Sequence, residues 1–227
     1  AKHGNRGSKK ANGSFDFLDA LGIPYNLSND DHQYRLNDHG ATFLFARTYH
    51  KAVAAVAEAR RNFKKRSIFN LIGPFCNPAS PETQVIGTPS IDVAKTLLDV
   101  GKQLPYSNFA VISSDVGLDE VSTVGESIVL VNRNGAISDF KINPTEFGIQ
   151  HTLSDIIVSN EALAVDNAKV FKDIIQQRLA NHPITELICL NSAVIIHIAD
   201  NSKSIQASYH KAKTVFQTGK LDYLFLD

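Results

Sequence analysis

The 227-residue sequence has no methionine, only two cysteines and no apolar run long enough to cross a membrane. A bilayer span needs roughly 18 or more consecutive apolar residues, and the longest apolar stretch, 193–199, is interrupted by His197. Two cysteines do not make a disulfide framework in so long a chain. Cys76 and Cys189 lie among apolar neighbours and are expected to be buried, reduced thiols. The basic N-terminus lacks the apolar segment of a secretory signal, so a cytoplasmic protein is predicted.

An excess of charge of either sign is also missing. Lysine and arginine together number 23, and so do aspartate and glutamate. A protein that coats nucleic acid or an acidic membrane needs a basic excess, so this balance argues against that class, although a local basic cluster can still bind phosphate. The absence of a starting methionine predicts that further residues precede Ala1 in a longer chain.

Short strands alternate with helices along most of the chain, which predicts an α/β fold with a central β-sheet. Strands are expected at 84–88, 108–113, 127–131 and 136–142, and helices at 14–21, 27–40, 50–63, 90–104, 161–180, 184–199 and 204–218. Ser14 and Ser90 are the expected helix N-caps, and residues 1–13 are expected to form a loop. Asn134-Gly135 between two β-like runs predicts a hairpin. No linker is evident, so residues 1–227 are interpreted as a single domain.

The first candidate site is a basic, glycine-bearing segment at the N-terminus. Its glycines, Gly4, Gly7 and Gly13, allow the backbone to approach a ligand closely. The helix start near Ser14 would add N–H groups that attract an anion. Positive charge is supplied by Lys2, Arg6, Lys9 and Lys10. The pattern predicts a phosphate-binding loop, and the alternative is a solvated basic terminus.

The second candidate site is a pair of adjacent carboxylates, Asp119 and Glu120, just after a β-like run. Open α/β sheets bind ligands beyond the carboxyl ends of their strands. Two carboxylates can bind Mg²⁺ when substrate phosphates and water complete its octahedron. The alternative is two solvated acids in a loop.

The third candidate site combines His50 and Arg60, which would share one face of a helix about 15 Å apart. Arg60 could hold a carboxylate by two hydrogen bonds; the alternative is a surface arginine and a capping histidine. A fourth candidate is the proline-bearing segment 70–78, which is either the wall of a pocket or a plain structural turn. No spacing of histidine and cysteine predicts a zinc site.

Together these segments resemble those of anthranilate phosphoribosyltransferases. KHGNR at 2–6 and GSFDFLDALG at 13–22 are similar to the family's KHGNR and GSADVLEALG. NLIGPFCNP at 70–78 is similar to its NLLGPLTNP, and GLDE at 117–120 to its GLDE loop. The order and spacing hold over nearly the whole chain, and the NLxGPxxNP pattern narrows the resemblance beyond related families that share KHGNR.

The resemblance implies a reaction and a fold. The amine of anthranilate would attack C1 of 5-phosphoribosyl 1-diphosphate (PRPP), releasing diphosphate and forming N-(5-phosphoribosyl)anthranilate for tryptophan biosynthesis. Mg²⁺ would be the cofactor. The fold would be the C-terminal domain type of nucleoside phosphorylases and phosphoribosyltransferases, a central mixed sheet flanked by helices. A homodimer would form through the family's N-terminal part.

The family's site residues are implied wherever the motifs match. PRPP would be bound by Lys2, Gly4, Asn5, Arg6, Gly7, Ser8, Lys9, Lys10 and Ser14. Anthranilate would be bound by His3, Asn5, His50, Arg60 and Pro74. Mg²⁺ would be bound by Asp119 and Glu120.

The sequence also departs from the family pattern. Lys9-Lys10 replaces a serine pair, and Arg47 and Lys51 replace prolines. The family's small helical N-terminal domain and its GTGGD diphosphate loop are absent, so the chain is expected to be a fragment of a longer enzyme. Three other functions remain open: a non-catalytic relative that binds nucleic acid, a pyrimidine nucleoside phosphorylase, and an inert assembly partner.

Overall fold

The computed structural model of the chain describes residues 1–7, 10–51, 68, 71–157 and 161–221. Its contacts divide the chain into two compact units, residues 1–81 with 161–169 and residues 82–160 with 170–227. The interpretation as a single domain stays a prediction. No helix within the described ranges is both long enough and apolar enough to cross a membrane.

The first unit is built on a small parallel strand pair and short helices. Its elements before residue 81 are β1 (Lys2–Gly4), α1 (Ser14–Leu21), α2 (Asn29–His39), β2 (Phe43–Phe45), α3 (Ala46–Tyr49) and a 3₁₀ turn (Gly73–Cys76). β1 pairs with β2 in parallel, with His3 opposite Leu44. The expected loop at 1–13 is therefore wrong for 2–4, because a three-residue strand with a distant partner leaves no periodic pattern in the sequence.

Helix α1 is fixed at both ends by its flanking residues. It ends at Gly22, which adopts the left-handed conformation (φ 77°) that glycine tolerates best. It is capped by Gly13 rather than by Ser14, because the Asp16 carboxylate accepts the Gly13 N–H at 2.9 Å. Its apolar residues Phe15 and Leu18 are buried in the core of the first unit.

The second unit contains a four-stranded mixed sheet. Its elements are β3 (Thr83–Gly87), α4 (Ile91–Gly101), β4 (Asn108–Ser114), β5 (Ser127–Arg133), β6 (Ala136–Ile142), a 3₁₀ turn (Pro144–Phe147), α5 (Leu153–Ile156), α7 (Pro183–Ala199) and α8 (Ile205–Gln217); α6 (Ala164–Gln176) runs through both units. The strand order is β3-β4-β5-β6; β3 and β4 are parallel, and the other pairs are antiparallel. Helices flank the sheet, so the predicted fold class is confirmed.

Strand β4 is covered on both faces. Successive side chains of a strand point to opposite sides of the sheet, so each face of β4 has its own set of contacts. Ala110 and Ile112 belong to the apolar core that includes Leu190 and Val194 of α7. On the other face, a Cβ built on Gly101 at the end of α4 would overlap the ring of Phe109. This two-sided burial explains why β4 is an almost continuous apolar run in the sequence.

Several local predictions are confirmed and one is wrong. The hairpin between β5 and β6 turns at Asn134 (φ 48°) and Gly135 (φ 89°), the left-handed pair that such turns favour. Cys189 is buried in the core as expected, but Cys76 is exposed because it ends a 3₁₀ turn on the surface. The predicted helix at 50–63 lies outside the described residues from position 52 onward.

Candidate functional site

The N-terminal segment approaches helix α1 very closely. Lys2 donates its N–H to the Thr42 carbonyl at 2.9 Å, next to the β1–β2 pair. A Cβ built on Gly4 would lie 3.0 Å from Ser14 Oγ and 3.2 Å from a ring carbon of Phe15. Glycine at position 4 therefore lets the strand lie directly against Ser14 and Phe15 at the start of the helix. Phosphate binding by this segment stays a prediction.

The loop after β1 is closed at its base by Asp16, a residue that the sequence analysis did not assign to the site. One carboxylate oxygen of Asp16 accepts the N–H of Gly7 at 2.7 Å and the N–H of Gly13 at 2.9 Å. A Cβ on either glycine would overlap the backbone of the opposite side of the loop. Asp16 and two close glycines thus join the ends of the segment 7–13, within which Ser8 and Lys9 lie outside the described residues.

Arg6 is bound by an acidic and a phenolic side chain. Its Nη2 lies 2.8 Å from Asp19 Oδ2 and 2.7 Å from the Tyr25 hydroxyl, which donates to Asp19 Oδ1 at 2.7 Å. Its guanidinium carbon lies 5.6 Å from the centre of the Phe45 ring. These residues line an open cavity of about 530 Å³. Arg6 therefore carries a compensated charge, and Lys10 likewise forms an ion pair with Glu161 at 3.2 Å.

His3 and His50 lie together beside the 3₁₀ turn that contains Pro74. Their Nε2 atoms are 3.0 Å apart, and their rings meet edge to face. Burial lowers the pKa of His3, and the neighbouring His50 lowers it further, while a hydrogen bond with the Gly73 backbone opposes both effects. The resulting pair places a neutral imidazole at position 3 near neutral pH.

Some of the residues predicted to bind anthranilate lie together in the structure, and others do not. His3, His50 and the turn of Pro74 are neighbours in the first unit. The Asn5 side chain accepts the following Arg6 N–H at 2.9 Å, so it shapes its own loop. Arg60 lies outside the described residues.

The carboxylate pair of the second unit follows the carboxyl end of β4. Asp119 is exposed and Glu120 is half-buried. Burial raises the pKa of Glu120, and the adjacent Asp119 raises it further. A Cβ built on Gly87, at the end of β3, would overlap the Asp119 carbonyl, so the turn lies directly on the end of the neighbouring strand.

This pair offers only part of a metal's coordination shell. Two carboxylates supply the hard oxygen atoms that Mg²⁺ prefers, and Mg²⁺ commonly keeps water and substrate phosphate as its other ligands. In the described part of the chain no group of three or more histidine, cysteine, aspartate or glutamate side chains could hold a metal. The donor set therefore fits a magnesium ion that is completed by a phosphorylated substrate.

The family comparison matches nearly all of this fold. Residues 1–221 match the glycosyl transferase family, a/b domain, and the chain belongs to this family. It is 35% identical over 227 residues to the anthranilate phosphoribosyltransferase of Legionella pneumophila (strain Corby), covering 99% of this chain and 64% of that protein. The chain thus spans slightly less than two thirds of that relative's length.

Solved structures share the fold. The anthranilate phosphoribosyltransferase of Thermus thermophilus superposes with a TM-score of 0.85 at 25% identity, covering 99% of this chain and 65% of that one. The Saccharomyces cerevisiae enzyme in complex with PRPP and Mg gives a TM-score of 0.84 at 24% identity, covering 99% and 62%.

Proposed function

We propose that this chain contributes to the transfer of the phosphoribosyl group of PRPP to anthranilate, which yields N-(5-phosphoribosyl)anthranilate and diphosphate in tryptophan biosynthesis. The observation that carries the proposal is the extent of the likeness to an enzyme of that name, which covers 99% of the chain. It therefore includes both the N-terminal glycine segment and the Asp119–Glu120 turn.

In this proposal the donor is bound by the N-terminal segment, residues Lys2, Gly4–Lys10 and Ser14. Backbone N–H groups and lysine side chains suit the negative charge that grows on departing diphosphate. Because Arg6 is bound by Asp19 and Tyr25, its contribution is chiefly to fix the loop. The cationic side chains of Lys2 and Lys9 would then supply most of the positive charge, with Lys10 contributing when PRPP displaces its partner Glu161.

Anthranilate, the acceptor of the phosphoribosyl group, would be bound by a different set of side chains. Arg60 would hold the anthranilate carboxylate by charge-assisted hydrogen bonds, while Asn5, His3, His50 and Pro74 would orient the ring and its amine. His3 would line the approach rather than bond the amine, because its ring already contacts His50 and the Gly73 backbone. Correct orientation of the two reactants lowers the barrier without any covalent intermediate.

Asp119 and Glu120 would hold Mg²⁺, the cofactor of this proposal. When bound, the ion would neutralise the charge of the diphosphate that leaves. The two side chains would have to be ionised to bind it. The S. cerevisiae protein of the same fold was solved with PRPP and Mg, which supports this cofactor.

Isothermal calorimetry separates this function from its rivals. Titration with PRPP and Mg²⁺ is expected to release heat that depends on both, while uridine with phosphate and duplex DNA give none. Binding of uridine would favour a pyrimidine nucleoside phosphorylase, and salt-dependent DNA binding without PRPP binding would favour a nucleic-acid-binding relative. Binding of none of these would favour an inert assembly partner.

A homodimer and a cytoplasmic location belong to the same proposal. The resemblance implies the dimer, which would form through the family's N-terminal part, and the two free cysteines suit a reducing compartment. Light scattering of the chain and of any longer natural form tests the first; a dimer of the longer form alone is the expected result.

A further inference from the structure

Two side chains hold the backbone on either side of the Asp119–Glu120 pair. Ser114, the last residue of β4, accepts the Leu118 N–H at 2.8 Å and donates its hydroxyl to the Leu118 carbonyl at 3.0 Å. It therefore binds both polar groups of the residue that precedes Asp119. The turn that carries the carboxylates is attached to the sheet at this point.

Asn191 of α7 does the same on the other side. Its Oδ1 accepts the Val121 N–H at 2.8 Å, and its Nδ2 donates to the Val121 carbonyl at 2.8 Å. The same amide also donates to the Leu187 carbonyl at 3.0 Å, one turn earlier in α7. Val121 is fully buried, so the residue that follows Glu120 is anchored to a helix of the core.

These contacts matter because Asp119 and Glu120 lie in a segment without regular secondary structure. Such a segment has no ladder of backbone hydrogen bonds to fix the direction of its side chains. Metal affinity depends on groups that orient the ligands as well as on the ligands themselves. A clamp on the residue next to Glu120 therefore restricts the directions that the two carboxylates can take.

We infer that Asn191 is a positioning residue that holds the Asp119–Glu120 turn in its metal-binding conformation. This inference rests on the proposed function, which assigns Mg²⁺ to that turn. Asn191 contacts neither the metal nor the substrate in this account. It acts through the peptide of Val121.

The chemistry of the contact requires an amide of this length. Asparagine is both a donor and an acceptor, whereas an ionised aspartate can only accept. Asn191→Asp therefore keeps a partner for the Val121 N–H but leaves the Val121 carbonyl facing a negative oxygen. Asn191→Leu, similar in shape, removes both hydrogen bonds.

The test compares the ¹⁵N-labelled wild type with ¹⁵N-labelled variants and has two readouts. Amide hydrogen exchange at Val121 measures the clamp, and paramagnetic broadening of residues 118–121 during titration with Mn²⁺ alone measures metal binding. Asn191→Leu is expected to speed the exchange at Val121 and to raise the Mn²⁺ midpoint roughly tenfold, as loss of an orienting partner does at other metal sites. Asn201→Leu, on the exposed turn after α7, is the matched control and should change neither.

A second variant covers the case in which Asn191→Leu does not fold. Ser114→Ala removes the clamp on Leu118 with a smaller change of the core, and it too is expected to raise the Mn²⁺ midpoint. Thermal unfolding of each variant shows whether the fold is retained.

The outcomes separate this inference from the proposed function. If the Mn²⁺ midpoint of folded Asn191→Leu equals that of the wild type, the positioning role is wrong while the function stands; where Asn191→Leu does not fold, an unchanged midpoint in Ser114→Ala has the same meaning. An unchanged exchange rate at Val121 in Asn191→Leu also contradicts the clamp. If broadening at 118–121 persists unchanged in a double variant, Asp119→Asn with Glu120→Gln, the metal is not held there, and the metal assignment and this inference both fail.

Discussion

The Nε2 atoms of His3 and His50 lie 3.0 Å apart. A hydrogen bond at this distance needs a proton on one nitrogen and a lone pair on the other. The two rings therefore cannot both be protonated at Nε2 without breaking the contact. Together with the burial of His3, this geometry favours a pair that carries at most one charge near neutral pH.

The titration of His3 tests this arrangement. The pKa of His3 lies below its ordinary value of 6.5, chiefly through burial and then through His50. In a His50→Gln variant the pKa of His3 should rise but stay below 6.5, because burial remains. Chemical shifts of the ring carbons measured against pH give both values; a fall of the pKa in the variant would contradict the assignment.

The same shift makes stability depend on pH. The folded protein holds the His3 proton less tightly than the unfolded chain does. The contribution of His3 to the free energy of unfolding is therefore fully present above pH 6.5, and it is lost as the pH falls through the lowered pKa of His3 in the folded protein. Urea unfolding between pH 5 and 7 should show a shallower decline for His3→Gln than for the wild type. Equal slopes would mean that His3 is not perturbed by folding.

Two aspartates on one helix should differ in their contribution to stability. Asp16 accepts two backbone N–H groups in the half-buried loop base, so Asp16→Ala is expected to cost about 1–3 kcal/mol. Asp19 pairs with Arg6 where both side chains are more than 40% exposed, so Asp19→Ala should cost less than about 1 kcal/mol. Denaturant midpoints decide between them, and equal losses would contradict the loop closure by Asp16.

The two thiols should differ sharply in reactivity. Burial raises the pKa of Cys189 to about 12 from an ordinary value of 9.0, so its thiolate fraction at pH 8 is lower by roughly a thousandfold. Cys76 is exposed. The native chain should react with an aromatic disulfide reagent at one fast thiol, which Cys76→Ser removes; two fast thiols in the native chain would show that Cys189 is accessible.

Arg60→Ala should raise the KM for anthranilate. The variant is made in this chain or in a longer natural form of the protein, whichever has the activity. Loss of a charge-assisted pair costs about 2 kcal/mol, or roughly 30-fold. Arg61→Ala is the matched control beside it in the sequence. Steady-state kinetics that show no change of KM or kcat for Arg60→Ala would remove Arg60 from the acceptor site.

Local signals predicted much of the fold. The β5–β6 hairpin follows from Asn134-Gly135, because the residues that make the turn also carry its signal. β1 could not be predicted, since its partner begins at Phe43, about forty residues along the chain. The end of α1 followed from Gly22, but its start depended on a contact between Asp16 and Gly13 that composition does not distinguish from an ordinary first-turn acid.

In the candidate site, too, features with a local sequence signal could be predicted and those set by distant contacts could not. Motifs singled out the glycine segment and the acidic pair as candidates, because glycine and paired carboxylates are recognisable as residue types. They did not reveal that Arg6 is paired with Asp19 and Tyr25, or that Asn191 holds Val121 from 70 residues away. Such partners are set by tertiary packing, which no local pattern in a single sequence encodes.

The most direct test of the central claim follows the fluorescence of anthranilate in the presence of the chain, PRPP and Mg²⁺. A loss of fluorescence is expected that requires the chain, PRPP and Mg²⁺ together and that is abolished in Asp119→Asn with Glu120→Gln. If anthranilate fluorescence stays unchanged at saturating PRPP and Mg²⁺ both with this chain and with any longer natural form of the protein, the proposed phosphoribosyl transfer is contradicted.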